Sequence, residues 1–180
     1  KALWIACTNP AQSMPDQKTV RRALQRTEFV VVQEAFATAA TCDYADLLLP
    51  ATTWGEKEGT VTNSERRITR VRAAVAAPGD ARADWVIAAD LGKRLAKVLG
   101  RPQNAHLLDY PTPEAVWNEH RESTRGRDLD ITGLSYNRLE SQGPAQWPLP
   151  EGAKSGRERL YADGHFPTPD GRARFAAIAW

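Results

Sequence analysis

The sequence predicts an α/β protein, an open three-layer fold with a mainly parallel sheet and helices on both faces, followed by a less regular C-terminal tail. Three observations carry this expectation. Apolar runs at residues 2–7, 29–32 and 45–50 have strand length, segments of helical character separate them, and proline or polar residues close each run. The order is therefore βαβαβ. Residues 1–125 are expected to form the α/β domain, and residues 126–180 a linker-like tail leading toward a further domain.

Each element has a local reason. The first strand ends at Thr8-Asn9-Pro10 because proline lacks the ladder donor and restricts the residue before it. Residues 16–25 place Val20, Ala23 and Leu24 at helical spacing, with Ser13 and Pro15 as start signals. Phe29-Val30-Val31-Val32 is continuously apolar and mostly β-branched, as suits a strand buried on both faces of a parallel sheet. Residues 38–44 suit a short helix, and Pro50 stops the third strand. Residues 51–63 lack an apolar period and read as a loop, while residues 64–71 read as a strand or extended segment. Residues 85–99 form the longest expected helix, with Ala88, Leu91, Leu95 and Leu99 on one face, Asp84 as N-cap and Gly100 just past the end. Thr112-Pro113-Glu114 opens another, with Val116 and Trp117 as its apolar side. Beyond Gly126 periodicity fades, leaving Trp147, Leu160 and Phe166 as anchors.

Composition narrows the function classes. With 24 Lys and Arg against 22 Asp and Glu the formal net charge is +2, so no nucleic-acid partner is indicated. Cys7 and Cys42 are unpaired in sequence, and His106, His120 and His165 lack ligand spacing, so no metal site can be read. No apolar run approaches the ~20 residues that span a bilayer. The expectation is a soluble, cytoplasmic protein with no membrane partner. Lys1 leads straight into the first strand without an initiator methionine or leader pattern, as expected of a piece cut from a longer chain.

Open α/β sheets place ligands beyond the carboxyl ends of their strands. Asn9 and Ser13 follow the first strand, Gln33 and Glu34 close the second, and the loop from Ala51 to Lys57 follows the third. Three loops thus converge on one crevice suited to a nucleotide. G-x-G-x-x-G and G-x-x-x-x-G-K-[ST] are both missing, which disfavours nicotinamide-type and phosphate-loop sites.

Five ordered motifs extend this picture: Thr8-Asn9-Pro10-Ala11-Gln12-Ser13, Val32-Gln33-Glu34-Ala35-Phe36, Tyr44-Ala45-Asp46-Leu47-Leu48-Leu49-Pro50, Trp54-Gly55-Glu56-Lys57-Glu58-Gly59 and Thr62-Asn63-Ser64-Glu65-Arg66-Arg67. Together with Asp84-Trp85 and the run from Thr168 to Phe175, they resemble the molybdenum bis(guanylyl-pterin) oxidoreductases, which include assimilatory nitrate reductases and formate dehydrogenases. The stretch from Gly59 to Ile68 most resembles the nitrate branch.

The resemblance implies an internal piece of a large catalytic subunit that binds molybdenum bis(molybdopterin guanine dinucleotide). An iron-sulfur cluster belongs to the missing N-terminal part. The partners implied are the other domains of the same subunit and an electron-donor protein or domain. Catalytic and metal-ligating residues lie elsewhere, so the piece alone is expected to be inert. Carried over by position, Asn9, Ser13, Gln33, Glu34, Ala51, Lys57 and Asp84 are the implied cofactor contacts. Asp84 or Glu34 can accept a pair of hydrogen bonds from guanine or ribose, and Lys57 can meet a phosphate.

Plainer roles stand beside these. Asp84 can be an ordinary N-cap, Asn9 and Ser13 turn or cap residues, Gln33-Glu34 a solvated strand end, and Lys57 a solvated loop charge. Arg66, Arg67, Arg70 and Arg72 can form a charged or docking face, and His120 a surface residue. Trp4, Trp54, Trp85 and Trp117 can be packing anchors. A protein-interaction module without cofactor is the rival function.

Overall fold

A computed structural model describes residues 1–178, so the last two residues of the expected tail lie outside it. The chain divides into two compact units, Lys1–Glu58 with Val71–Pro113, and Gly59–Arg70 with Glu114–Trp180. This differs from the expected division at residue 125. The reason is a hydrophobic core in which Ile68 and Trp117 pack with Ile131, Leu134, Tyr136, Leu139 and Leu149, which draws earlier residues into the later part of the chain.

In the first unit, β1 (Ala2–Ala6), β2 (Phe29–Glu34) and β3 (Leu47–Pro50) form a parallel sheet in the order β1-β2-β3. Ala6 pairs with Gln33 and Glu34 with Pro50, so all three strands end at one edge. Val30 and Val32 are buried while Phe29 is exposed and Val31 intermediate. β2 is thus buried mainly on one side, where Ile5, Ala11, Leu24 and Cys42 complete the core.

Two short helices follow β1. They are α1 (Pro10–Ser13) and α2 (Gln17–Arg26). Ser13 closes α1 and does not start α2; the cap of α2 is Asp16, whose carboxylate accepts from the Thr19 amide. The helix expected at residues 38–44 is a 3-10 segment, Ala40–Tyr44.

α3 (Asp84–Val98) matches the expected length, and Gly100 follows it with a left-handed φ of +68°. Its buried residues are Ile87 and Ala89, whereas Ala88, Leu95 and Leu99 of the expected apolar face are exposed. The expected helix forms, but it packs through another stripe. Trp85, Ala89 and Gly92 recur at i, i+4 and i+7; Trp85 meets Tyr110 edge to face, and Gly92 admits Leu108 so closely that a Cβ there would lie 2.4 Å from its Cδ1.

The second unit is more regular than its sequence suggests. β4 (Gly59–Thr62), β5 (Arg67–Val71) and β6 (Ala145–Gln146) form a second sheet, so the expected loop at residues 51–63 ends in a strand. α4 (Pro113–Glu122) buries Trp117, and α5 (Tyr136–Gln142) is capped by Ser135. Arg67 and Arg72 of the arginine cluster are exposed, as a charged face requires, whereas Arg66 and Arg70 turn inward. Arg66 donates to the carbonyls of Trp147, Arg157 and Glu158, and Arg70 donates to the Gly59 carbonyl while lying 3.6 Å over the Tyr136 ring. Arg138 likewise donates to the Ala153 and Lys154 carbonyls. These planar forks satisfy carbonyls of a segment with little regular structure of its own.

Gly156 marks a close backbone crossing in this unit. A Cβ there would lie 1.7 Å from the Gln146 carbonyl oxygen, whereas one at Gly59 would meet nothing within 4 Å. Gly156→Ala is expected to destabilise the unit by about 1–3 kcal/mol, the usual scale of overpacking. A denaturant titration in which Gly156→Ala and Gly59→Ala lose the same stability would contradict this packing.

Candidate functional site

The common edge where the three parallel strands end opens into a cleft of about 580 Å³. Of the seven residues singled out from sequence, Asn9, Gln33, Glu34, Ala51, Lys57 and Asp84 line it. Ser13 does not; its hydroxyl donates to the Asn9 carbonyl at 2.9 Å inside α1.

The network at the cleft floor explains why these residues converge. Asp84 begins α3, but Ala83 is the cap residue and no side chain caps the helix. The Asp84 carboxylate is used elsewhere. Lys57 Nζ donates to its Oδ2 at 2.6 Å, Gln33 Nε2 to its Oδ1 at 2.8 Å, and the Cys7 thiol to the same Oδ1 at 3.4 Å. Asp84 therefore joins the exits of β1 and β2 to the loop after β3. Burial alone raises its pKa, but the bonds from Lys57 and Gln33 and the Lys57 charge outweigh burial and hold it below the ordinary carboxylate value. Burial and the Asp84 charge push the Cys7 thiol up, so it is held protonated as a donor.

The plainer roles fare unevenly. Lys57 is not a solvated loop charge, being ion-paired and only 28% exposed at its side chain. Gln33 is buried, not a solvated strand end. Asn9 sits at the cap position of α1 without capping it; its Oδ1 accepts from the Thr41 amide and hydroxyl, which ties the loop after β1 to the 3-10 segment. Glu34 Oε1 accepts from the Ala35 and Phe36 amides, fixing the turn after β2. His120 is exposed as expected. Trp117 is a buried anchor, but Trp54 is largely exposed on the cleft wall.

The implied contact set leaves out Cys7, Thr8, Phe36, Thr52, Thr53 and Trp54, which also line the cleft. The signal was available for most of them. Cys7 and Thr8 follow the last residue of β1, and Thr52 to Trp54 follow the proline that stops β3, positions that strand polarity alone marks. Cys7 also takes a left-handed φ of +59°, an uncommon conformation outside glycine that sequence does not announce.

Two buried side-chain atoms of residues that line the cleft, Gln33 Oε1 and Thr52 Oγ1, lack a partner. Orphaned buried atoms in a preformed crevice are what a ligand with its own donors and acceptors would complete, so these residues fit a nucleotide-bearing cofactor. Among the described residues, no group of three or more His, Cys, Asp or Glu is placed to hold a metal, and no helix is long and apolar enough to cross a membrane.

The chain is 43% identical over 177 residues to a nitrate reductase of Synechocystis sp., covering 96% of this chain and 24% of that protein. It is 38% identical over 180 residues to a formate dehydrogenase alpha subunit of Methanocaldococcus jannaschii, covering 100% of this chain and 25% of the relative. The chain thus spans about a quarter of the length of these relatives. Acetylene hydratase from Pelobacter acetylenicus shares the fold, with a TM-score of 0.63 at 20% identity over 96% of this chain and 21% of that one. The profile of the molybdopterin oxidoreductase family matches residues 1–94, which contain the whole cleft, and the chain belongs to that family.

Proposed function

We propose that this chain is part of the catalytic subunit of a cytoplasmic assimilatory nitrate reductase, in which it holds the nucleotide end of a molybdenum bis(molybdopterin guanine dinucleotide). The observation that carries this reading is the cleft itself, in which six of the seven implied residues, Asn9, Gln33, Glu34, Ala51, Lys57 and Asp84, surround two unpartnered buried polar atoms. The metal ligand, the iron-sulfur cluster and the site of electron entry belong to other parts of the subunit, and an electron-donor protein or domain is the external partner.

When bound, the cofactor supplies the two-electron redox chemistry of nitrate reduction. This chain's residues bind and orient it. Lys57 keeps donors beyond the one given to Asp84 and can meet a phosphate oxygen, while Glu34 keeps Oε2 free for ribose hydroxyls. The backbone at Ala51 is pinned by its amide to the Glu34 carbonyl at 3.1 Å, so the loop after β3 is held in place before any ligand arrives.

Nitrate is preferred over formate as substrate because the Gly59 to Ile68 stretch resembles the nitrate branch and the Synechocystis relative is a nitrate reductase. The purified subunit is expected to release GMP on acid hydrolysis and to reduce nitrate with a reduced viologen dye. Formate oxidation without nitrate reduction would move it to the formate dehydrogenases. A subunit free of pterin and GMP would leave only the interaction module.

A further inference from the structure

The two orphaned atoms in the cleft single out a residue that neither the motifs nor the implied contact set contains. Thr52 is 4% exposed and Gln33 3% exposed, and both line the cleft. Thr52 is fixed at its main chain, since its amide donates to the Arg82 carbonyl at 3.0 Å and the preceding Ala51 bridges Arg82 beside the sheet. Its hydroxyl nevertheless has no partner, although Thr41 on the same unit gives its hydroxyl to Asn9. A buried hydroxyl kept without a partner works against the folded state.

Gln33 has the complementary property. Its amide is oriented, because Nε2 donates to Asp84 Oδ1 and Asp84 Oδ2 is held by Lys57. A flip would set Oε1 against a carboxylate, so Oε1 remains an acceptor that requires a donor. Asp84, in contrast, has both oxygens engaged within the protein. The exposed rings of Phe36 and Trp54 on the cleft wall add flat apolar faces of the kind that pack against a heterocyclic base.

Resting on the cofactor reading above, we propose that Thr52 is a ligand-binding residue whose hydroxyl, with Gln33 Oε1, hydrogen-bonds the guanine nucleotide end of the cofactor, while Asp84 and Lys57 position Gln33. Guanine carries N–H donors for Gln33 Oε1, and the Thr52 hydroxyl can donate or accept as its neighbour requires.

The isosteric substitution Thr52→Val separates ligand binding from folding, because it removes the hydroxyl without opening a cavity. In the full-length subunit, the ligand-free melting midpoint is expected to stay the same or rise. GMP retained per polypeptide after dilution and gel filtration is expected to fall by about fivefold or more, the scale of one lost hydrogen bond. Thr52→Ser, which restores the hydroxyl, is expected to retain GMP near the wild-type level. Wild-type retention in Thr52→Val overturns the inference, and so does a lowered ligand-free midpoint, which would mean the hydroxyl is already satisfied within the protein. Wild-type subunit that releases no GMP at all overturns the cofactor reading, and this inference with it.

Discussion

Trp117→Ala is expected to lower the stability of the second unit by about 3–5 kcal/mol, the range for removing a buried tryptophan. Trp117 is 7% exposed in a core shared with Ile68, Ile131, Leu134, Tyr136, Leu139 and Leu149. Its indole Nε1 donates to the Leu134 carbonyl at 2.7 Å, so truncation both opens a cavity and strands a buried acceptor. Trp117→Phe keeps most of the ring volume and loses the bond, and its expected loss is smaller, about 1–3 kcal/mol. Hydrogen exchange at the Leu134 and Leu139 amides reports this unit directly, which matters because two units need not unfold together. Unchanged protection in Trp117→Ala would mean the core does not depend on it.

How far the sequence alone reaches differs between the two units, for physical reasons. The parallel sheet was legible because three short apolar runs, two of them closed by Pro10 and Pro50 and the middle one β-branched, leave little room for another structure, and strand polarity then marks the edge where a crevice opens. Six of the seven residues singled out from that polarity and the family motifs line the cleft at this edge. Asp84 shows the limit: an acidic residue before a helix reads as a cap, yet its carboxylate is committed to Lys57, 27 positions away, and Gln33, 51 positions away. Such pairings have no sequence period.

The tail was the least legible part. Ile131, Leu134, Tyr136, Leu139 and Leu149 follow neither a helical nor a strand repeat along their whole length, because a loop, the short α5 and the approach to Pro150 supply them in turn. Arg66, which sits in a cluster that reads as surface charge, instead joins Arg138 in closing main-chain hydrogen bonds of this segment. The same holds for Asp130, whose Oδ1 accepts from the Thr132 amide and hydroxyl and whose Oδ2 accepts from Gly126. Burial raises its pKa, but those bonds outweigh burial and hold it below the ordinary carboxylate value.

Asp84→Ala in the full-length subunit is expected to weaken cofactor retention by about 10–150-fold, the equivalent of the roughly 1.5–3 kcal/mol typical of hydrogen bonds to a charged group. The loss arises because Gln33 Nε2 and Lys57 Nζ both lose their acceptor, so the Gln33 amide is no longer oriented and Lys57 is left partly buried without its partner. Lys57→Ala leaves the carboxylate bonded to Gln33 and is expected to cost less. The double variant is then expected to retain more cofactor than the product of the two single losses predicts, as befits residues in direct contact. Stability gives an independent check through pH. Because Asp84 is held below its ordinary pKa in the folded state, its contribution is present above about pH 4, the unfolded carboxylate value, and is lost as pH falls through the folded pKa. The stability difference between wild type and Asp84→Asn should therefore be largest near neutrality and shrink on acidification. A difference that stays constant from neutral pH to below the carboxylate range, with additive losses of GMP in the double variant, would remove Asp84 and Lys57 from the floor of the site as a coupled pair.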